Sequence, residues 1–322
     1  MNLLIRFLVG LVLAFTLPLN AFSQEMNVAH AWNDQVLEGI RNDFARPTVH
    51  ARNLLHTSIA MYDAWGAYDD GPALPFFLGQ TFGNYTCPFD PTQLTIPDTP
   101  GGVQAAQEEA MSYAVYRIMH HRFGDSPDGP LTLSNIEDQM AAYGYSTAIT
   151  STDYAADGPA ALGNYIAEHN IAMGMNDGSN EANGFGPTCY ESVNPNIKPE
   201  LPGNPDIIDP DRWQAIELTL FIDQSGNAST DVPEFVGPEW GRVTPFALDS
   251  SDLEFVERDG CTYHVWKNPG APAYIDTVNG LGLDDAYKWN FSMVSVWQSH
   301  LDPSDGVMWD ISPNGMGTDG SF

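Results

Sequence analysis

The sequence predicts a mainly α-helical bundle with a small β excursion between residues 213 and 266. Three observations carry this. Segments at 33–44, 48–69, 103–123, 133–143 and 154–175 repeat apolar residues at steps of three and four. One of them is too apolar to lie on a surface. Alternation of period two is found only after Trp213. The most apolar segment, Thr48 to Asp69 (TVHARNLLHTSIAMYDAWGAYD), has one stripe through Leu54, Ser58, Met61, Trp65 and Tyr68 and a second through Leu55, Ile59 and Tyr62. Two adjacent stripes imply burial on most sides. Ala51, Ser58, Ala60, Ala64 and Ala67 leave room for close helix approach, so this is the expected central helix.

Taken in order, Asn33 or Asp34 can cap a first helix that runs to about Phe44, with Val36, Leu37, Ile40 and Phe44 facing inward. Pro47 suits the first turn of the central helix. Within that helix His56 and Asp63 share a face, with Asn53 nearby. Buried polar groups need partners, so these read as a structural network, with catalysis or metal ligation as the alternative. Gly71-Pro72 stops the helix, and prolines 72, 75, 88, 91, 97 and 100 predict an irregular covering loop over 73–101.

Val103 to Phe123 returns to helix, with Ala106, Ala110, Ala114 and Ile118 on one side and Tyr113, Tyr116 and Met119 on another. Its last turns carry Arg117, His120, His121 and Arg122, cationic groups that suit the negative end of a helix; a small oxyanion site is the alternative. Leu133–Tyr143 and Tyr154–Met175 are amphipathic, the second through Leu162, Ile166, Ile171 and Met175. Residues 176–205 read as loop, and NDGSNEANG within them lacks the calcium-loop order of an EF-hand and reads as turns.

Ile216, Leu218, Leu220 and Ile222 alternate with polar or outward positions, which predicts a short strand. Segments 254–256 and 262–266 flank Asp259-Gly260, a hairpin signal. Asp284 or Asp285 can cap a last helix with Trp289, Met293, Val296 and Trp297 facing in, ending near Asp302-Pro303. No stretch joins a linker composition to separate cores, so residues 24–322 read as a single α-helical domain.

Residues 1–23 have one early positive charge, Arg6, an apolar run from Phe7 to Leu17 and a small-residue site at Ala21-Phe22-Ser23. This is the pattern of a signal peptide cleaved after Ser23, and it predicts a secreted or periplasmic protein with no membrane attachment after cleavage. An uncleaved anchor is the alternative, although the run is short for a span of roughly 20 residues. The formal net charge is −30, from 12 basic and 42 acidic residues. A field of that sign repels nucleic acid and anionic lipid, and neither is expected as a partner. Cys87 and Cys189 both sit in loop-like segments and form the preferred disulfide, leaving Cys261 unpaired. No cysteine spacing suggests zinc.

Six segments in series then carry a resemblance: WNDQVLEGIR, PTVHARNLLHTSIAMYDAWGAYD, DGSNEANG, RWQAIEL, GPEWGRVTPFAL and YKWNFSMVSVWQSHLDPSDGVMWDISP. Together they resemble the amino-terminal half of the bacterial vanadium-dependent haloperoxidase-like family, related to the type-2 phosphatidic acid phosphatases and class A acid phosphatases. The resemblance implies a large helical bundle that oxidises halide with peroxide. It also implies a vanadate held by a Lys, two Arg, a Ser-Gly turn and two His, donors that spread the charge of an oxyanion.

That cradle has no counterpart in this chain. Its only Arg-Pro is Arg46-Pro47, the position seven before Arg46 is Gly39, and no Gly-His or Ser-Arg dipeptide occurs. The lysines are Lys198, Lys267 and Lys288, none beside an arginine cluster. No catalytic, cofactor-binding or metal residue is therefore assigned. The expectation is an amino-terminal portion whose catalytic half lies beyond Phe322, with no vanadate bound here and with peroxide and halide as substrates only when that half is present. A non-catalytic helical scaffold and, for the full-length form, an acid-phosphatase-like hydrolase are the alternatives. A third is an acid–base or metal site among His56, Asp63, His120, His121, His300, Asp302 and Asp305. The tightest of these sets, His300, Asp302 and Asp305, lies in an ordinary turn-forming run. Oligomeric state is not encoded in any pattern seen here.

Overall fold

The computed structural model describes residues 27–71, 74–209, 212–230, 232–270, 273, 278–279, 285–302, 304, 306 and 308. Residues 1–23, where a signal peptide is expected, Pro72, Asp284, Pro303, Asp305 and the tail from 309 lie outside the described residues. No helix among the described residues is long and apolar enough to cross a membrane. Contacts divide the chain into a unit ending at Trp266 and a unit beginning at Lys267.

The first unit is the expected mainly α bundle. Its helices are α1 (Val28–Arg41), α2 (Pro47–Gly66), α3 (Gly102–Phe123), α4 (Gly129–Ala142) and α5 (Tyr154–Gly174). Helix α1 begins six residues before the expected cap, at Asn27, whose side chain accepts from the His30 N–H. Burial decides this start: Trp32 and Val36 are fully enclosed, and the turn before them carries Val28 and Ala31 inward. The helix also stops short of Phe44, which lies outside it and is 52% exposed, and Leu37 is exposed as well.

The helix that packs against all four others is α3, not α2. Ala106, Ala110, Ala114 and Ile118 meet Ile59, Ala60 and Ala64 of α2 and Leu162, Ile166 and Ala167 of α5. Tyr113, Val115, Met119 and Phe123 on its other side join Trp32 and Val36 of α1 and Ile136 and Met140 of α4. Two cores thus share one helix. An alanine stripe lets backbones come close, and Gly163 of α5 completes it: a Cβ there would overlap the Ala110 carbonyl and the Tyr113 Cβ. Helix α5 has a break at its start, where Gly158 adopts φ 75° and Pro159 begins the regular turns.

Helix α2 is buried on most sides, as its two stripes suggest, with Ile59, Met61 and Tyr68 of those stripes enclosed, but the stripes are not the whole of its buried surface. Ser58 and Tyr62 are exposed and Leu54, Leu55 and Trp65 only half-buried, while Arg52, Asn53, His56, Thr57 and Asp63 are buried. Polar side chains occupy that interior face because loops bring partners to them.

The segment 74–101 is irregular, as its prolines predict, apart from a two-residue hairpin of β1 (Thr81–Phe82) with β2 (Tyr85–Thr86) and a 3₁₀ turn at Pro91–Gln93. The expected strand over 216–222 shrinks to β3 (Phe221–Ile222), paired with β4 (Ala228–Ser229), and a lone bridge from Ile216 to Ile197. Alternation supplies a face but not a ladder partner, and Ile216, Leu220 and Ile222 stay exposed. The hairpin of β5 (Leu253–Arg258) and β6 (Cys261–Trp266) forms around Asp259 and Gly260, both at positive φ as a tight primed turn requires.

The disulfide joins Cys189 to Cys261, and Cys87 is free and buried. The expected pair of Cys87 and Cys189 is overturned because Cys87 packs inside the core with Phe77 and Leu78, whereas Glu239 accepts from the N–H groups of Thr188, Cys189 and Tyr190 and holds that loop beside β6. Burial pushes the Cys87 thiol up to about 12. Native protein treated with a thiol-specific reagent at pH 8 is therefore expected to show no reactive thiol and to expose one on unfolding. Rapid labelling of the native chain contradicts this pairing.

In the second unit, α6 (Ala286–Ser299) is capped by Asp285, whose side chain accepts from the N–H groups of Tyr287 and Lys288. The aromatic stripe expected to face inward does not: Trp289 and Val296 are exposed, and Trp297 is 62% exposed.

Candidate functional site

Arg52 enters the core of the first unit with 2% of its side chain exposed. A buried guanidinium must find acceptors. Its Nε donates to Asp177 Oδ2 at 2.5 Å and its Nη2 to Glu181 Oε2 at 2.5 Å. One helical turn on, His56 Nδ1 accepts from Arg122 Nη2 at 2.6 Å, and Arg122 Nη1 donates to Asn53 Oδ1 at 3.2 Å. Arg122 Nε lies 3.5 Å from Glu181 Oε1, which also receives His121 Nε2 at 3.1 Å. Residues from α2, the end of α3 and the loop after α5 therefore form one buried cluster.

The loop 176–187 delivers both carboxylates. Asp177 is fixed by its own backbone, accepting from Ser179 N–H at 2.9 Å through Oδ1 and from Thr244 N–H at 2.8 Å through its carbonyl. Gly178, at φ 93°, backs onto the Arg242 carbonyl with no room for a Cβ. Asn180 (φ 60°) and Phe185 (φ 67°) turn the chain through the left-handed region, which is a strained conformation for Phe185. Gly174, at the end of α5, is required beside the cluster, since a Cβ there would come within 2.6 Å of Arg52 Nη2.

The electrostatics follow from burial. Desolvation, with the charges of Arg122 and Arg52 adding to it, holds the His56 pKa well below the usual value. His56 is thus neutral, and because arginine only donates, its proton sits on Nε2, 3.8 Å from Asp177 Oδ2. For Glu181 burial alone would raise the pKa, but the His121 hydrogen bond and the charges of Arg122 and Arg52 outweigh it and bring it down to about 2. Arg122, lowered by burial to about 10, remains protonated at neutral pH.

A second polar group adjoins this one. Asp43 accepts from Ser126 Oγ at 2.9 Å and pairs with Arg46 at 3.3 Å, and His50 Nε2 donates to the Phe44 carbonyl at 2.7 Å. The Arg46 guanidinium lies between two rings, 5.0 Å from the centroid of Phe44 and 5.2 Å from that of Phe185. Between the two groups is a cavity of about 410 Å³, bounded by Asn53, Arg122, Asp43, Arg46 and Glu181 among others.

The sequence-derived candidates separate in space. His56 and Asp63 share the buried face of α2 but not a network: Asp63 accepts from the N–H groups of Phe76, Phe77 and Leu78 and anchors the covering loop. Burial raises its carboxyl to about 6 against the pull of those donors. The basic run at the end of α3 also divides. Arg117 serves Asn164 and the carbonyls of Thr147 and Ile149, His120 packs edge-on to Tyr116, and only His121 and Arg122 reach the cluster. Asp302 accepts from Ser304 in a turn. Among the described residues no group of three or more His, Cys, Asp or Glu side chains could hold a metal ion.

Sequence reasoning missed Arg52, Asp177 and Glu181. The signal was present: an arginine on a helix otherwise read as buried must have anions, and NDGSNEANG is the acidic loop that supplies them.

No protein-family model and no curated protein matches the chain. Among solved structures it is similar to an apo-type bacterial vanadium-dependent chloroperoxidase, at 19% identity and a TM-score of 0.43 over 66% of this chain and 42% of that one. It is also similar to the holo-type bacterial vanadium-dependent chloroperoxidase, at 19% identity and a TM-score of 0.39 over 61% and 38%. The chain spans about two-fifths of the length of the structures it matches.

Proposed function

We propose that this chain is the helical amino-terminal part of an exported vanadium-dependent haloperoxidase-like protein, and that the residues described here hold no vanadate. Halide oxidation by peroxide would then belong to the whole protein, through cationic motifs supplied by a carboxy-terminal half. The six sequence segments in family order support the first statement. The observation that carries the second is the charge balance of the buried cluster: Arg46, Arg52 and Arg122 face Asp43, Asp177 and Glu181, one carboxylate for each guanidinium. An oxyanion is held by fixed donors with charge to spare. Here each guanidinium is paired in charge with one of the chain's own anions, although the buried Arg46 Nε, Arg52 Nη1 and Arg122 Nε make no hydrogen bond, and Lys198 is likewise paired with Glu217 at 2.9 Å. On this reading the cluster is structural, tying the loop 176–187 to α2 and α3.

The test is thermal unfolding of the purified mature chain across titrations of orthovanadate and of phosphate. A ligand that binds only the native state adds about 2.7 kcal/mol at a hundred times its Kd, a readily visible shift. No saturable shift is expected with either anion. A saturable shift with vanadate would mean that a cradle exists among these few cations and would sink the reading. The reading frame downstream of codon 322 is the second arm: it should encode the Lys, Arg-Pro, Ser-Gly-His and Ser-Arg motifs, and a frame without them removes the assignment.

A further inference from the structure

The cavity beside the cluster has an unused donor at its wall. Asn53 is 2% exposed. Its orientation is fixed, because Arg122 donates to Oδ1, so Nδ2 is the free end of the amide. That N–H₂ has no hydrogen bond to any described residue and, unlike the wholly buried Nε atoms of Arg46 and Arg122, is not closed off from the cavity. Asn53 lines the cavity, so an acceptor arriving there would meet it.

The remaining lining specifies what else the occupant must be. Phe44 and Met175 are large apolar side chains left exposed at the cavity, and Phe185 forms part of the wall on the strained loop. These favour an apolar, ring-sized body. Two guanidiniums line the cavity, Arg46 and Arg122, and they face the carboxylates of Asp43 and Glu181; the other titratable groups on the lining, His121 and Asp125, are exposed. A charged ligand would give up its hydration without finding an unpaired opposite charge in the interior, whereas a neutral one avoids that cost. The volume, about 410 Å³, falls within the range of small-molecule sites.

We propose that this cavity binds a small neutral organic molecule, with a carbonyl oxygen accepting from Asn53 Nδ2 and an aromatic or branched apolar body against Phe44, Met175 and Phe185. The site is separate from vanadate chemistry and does not depend on any carboxy-terminal half.

Three probes of one shape and different charge test this: benzamide, benzoate and benzylammonium, each titrated into the mature chain by calorimetry, with ligand-observed NMR for weak binding. Two variants accompany them. Asn53→Asp keeps an oxygen for Arg122 and removes the free donor; Phe44→Ala removes a half-exposed ring that lies outside both apolar cores and whose own contact is with the Arg46 guanidinium. Benzamide is expected to saturate one site, with both charged probes binding about tenfold or more weakly, and each variant weakening benzamide by a similar factor. The proposal is overturned if benzamide shows no saturable binding to the native protein, if either charged probe binds more tightly, or if Phe44→Ala binds benzamide as the native chain does. Asn53→Asp is read only where its melt matches the native one, and unchanged affinity there also overturns it.

Discussion

Replacing Arg52 with leucine is expected to destabilise the first unit by about 3–5 kcal/mol, the cost of leaving buried anions without their cation. Asp177 and Glu181 point inward from the loop 176–187 with 2% and 7% of their side chains exposed, so water cannot take the place of the guanidinium. Against a total stability of about 5–15 kcal/mol, a loss of that size removes a large part of the fold's margin. Arg41→Leu is the matched comparison. It breaks a pair with Glu38 at 2.7 Å, close to the Arg52 distances, but 66% and 43% of the two side chains are exposed. Pairs of that kind contribute about 0–1 kcal/mol. Urea unfolding of the two variants separates the cases, and similar costs for both would show that the buried cluster is not what holds the loop to α2.

Acid is expected to release the same loop. Glu181 titrates at about 2 in the folded chain and ordinarily near 4.5. A carboxyl whose folded pKa is depressed contributes stability that is complete above the unfolded pKa and lost as pH falls through the folded one, here between about 4.5 and 2. The contribution at neutral pH is about 3 kcal/mol. His56, held neutral, acts in the same direction, because the unfolded imidazole takes up a proton below about 6.5 that the folded one refuses. Asp63 acts oppositely: its carboxyl is raised from 3.8 to about 6, so the fold gains from its protonation as pH falls across that interval. The Glu181 effect is therefore cleanest between pH 3.8 and 2. Denaturant midpoints measured there should fall steeply for the native chain and clearly less for Glu181→Gln. Equal slopes in the two proteins would show that Glu181 is not the group being titrated.

The sequence by itself determined the helical class, four of the five helices of the first unit to within a few residues, and the hairpin at Asp259-Gly260. These follow from periodicity and turn chemistry, which act over neighbours in the chain and so are legible locally. The tertiary structure decided which face of α2 is inside. Apolar spacing found Ile59, Met61 and Tyr68, which are buried, but also Ser58 and Tyr62, which are exposed, and it gave no sign that Arg52 is buried; the polar side of the helix is enclosed because the backbone of 76–78 and the carboxylates of Asp177 and Glu181 are brought to it by the fold. The same holds for Cys261, whose partner was set by where Glu239 places the loop of Cys189. A charged side chain is expensive to bury only while it is alone, and whether it is alone is a property of the fold, not of its neighbours in sequence.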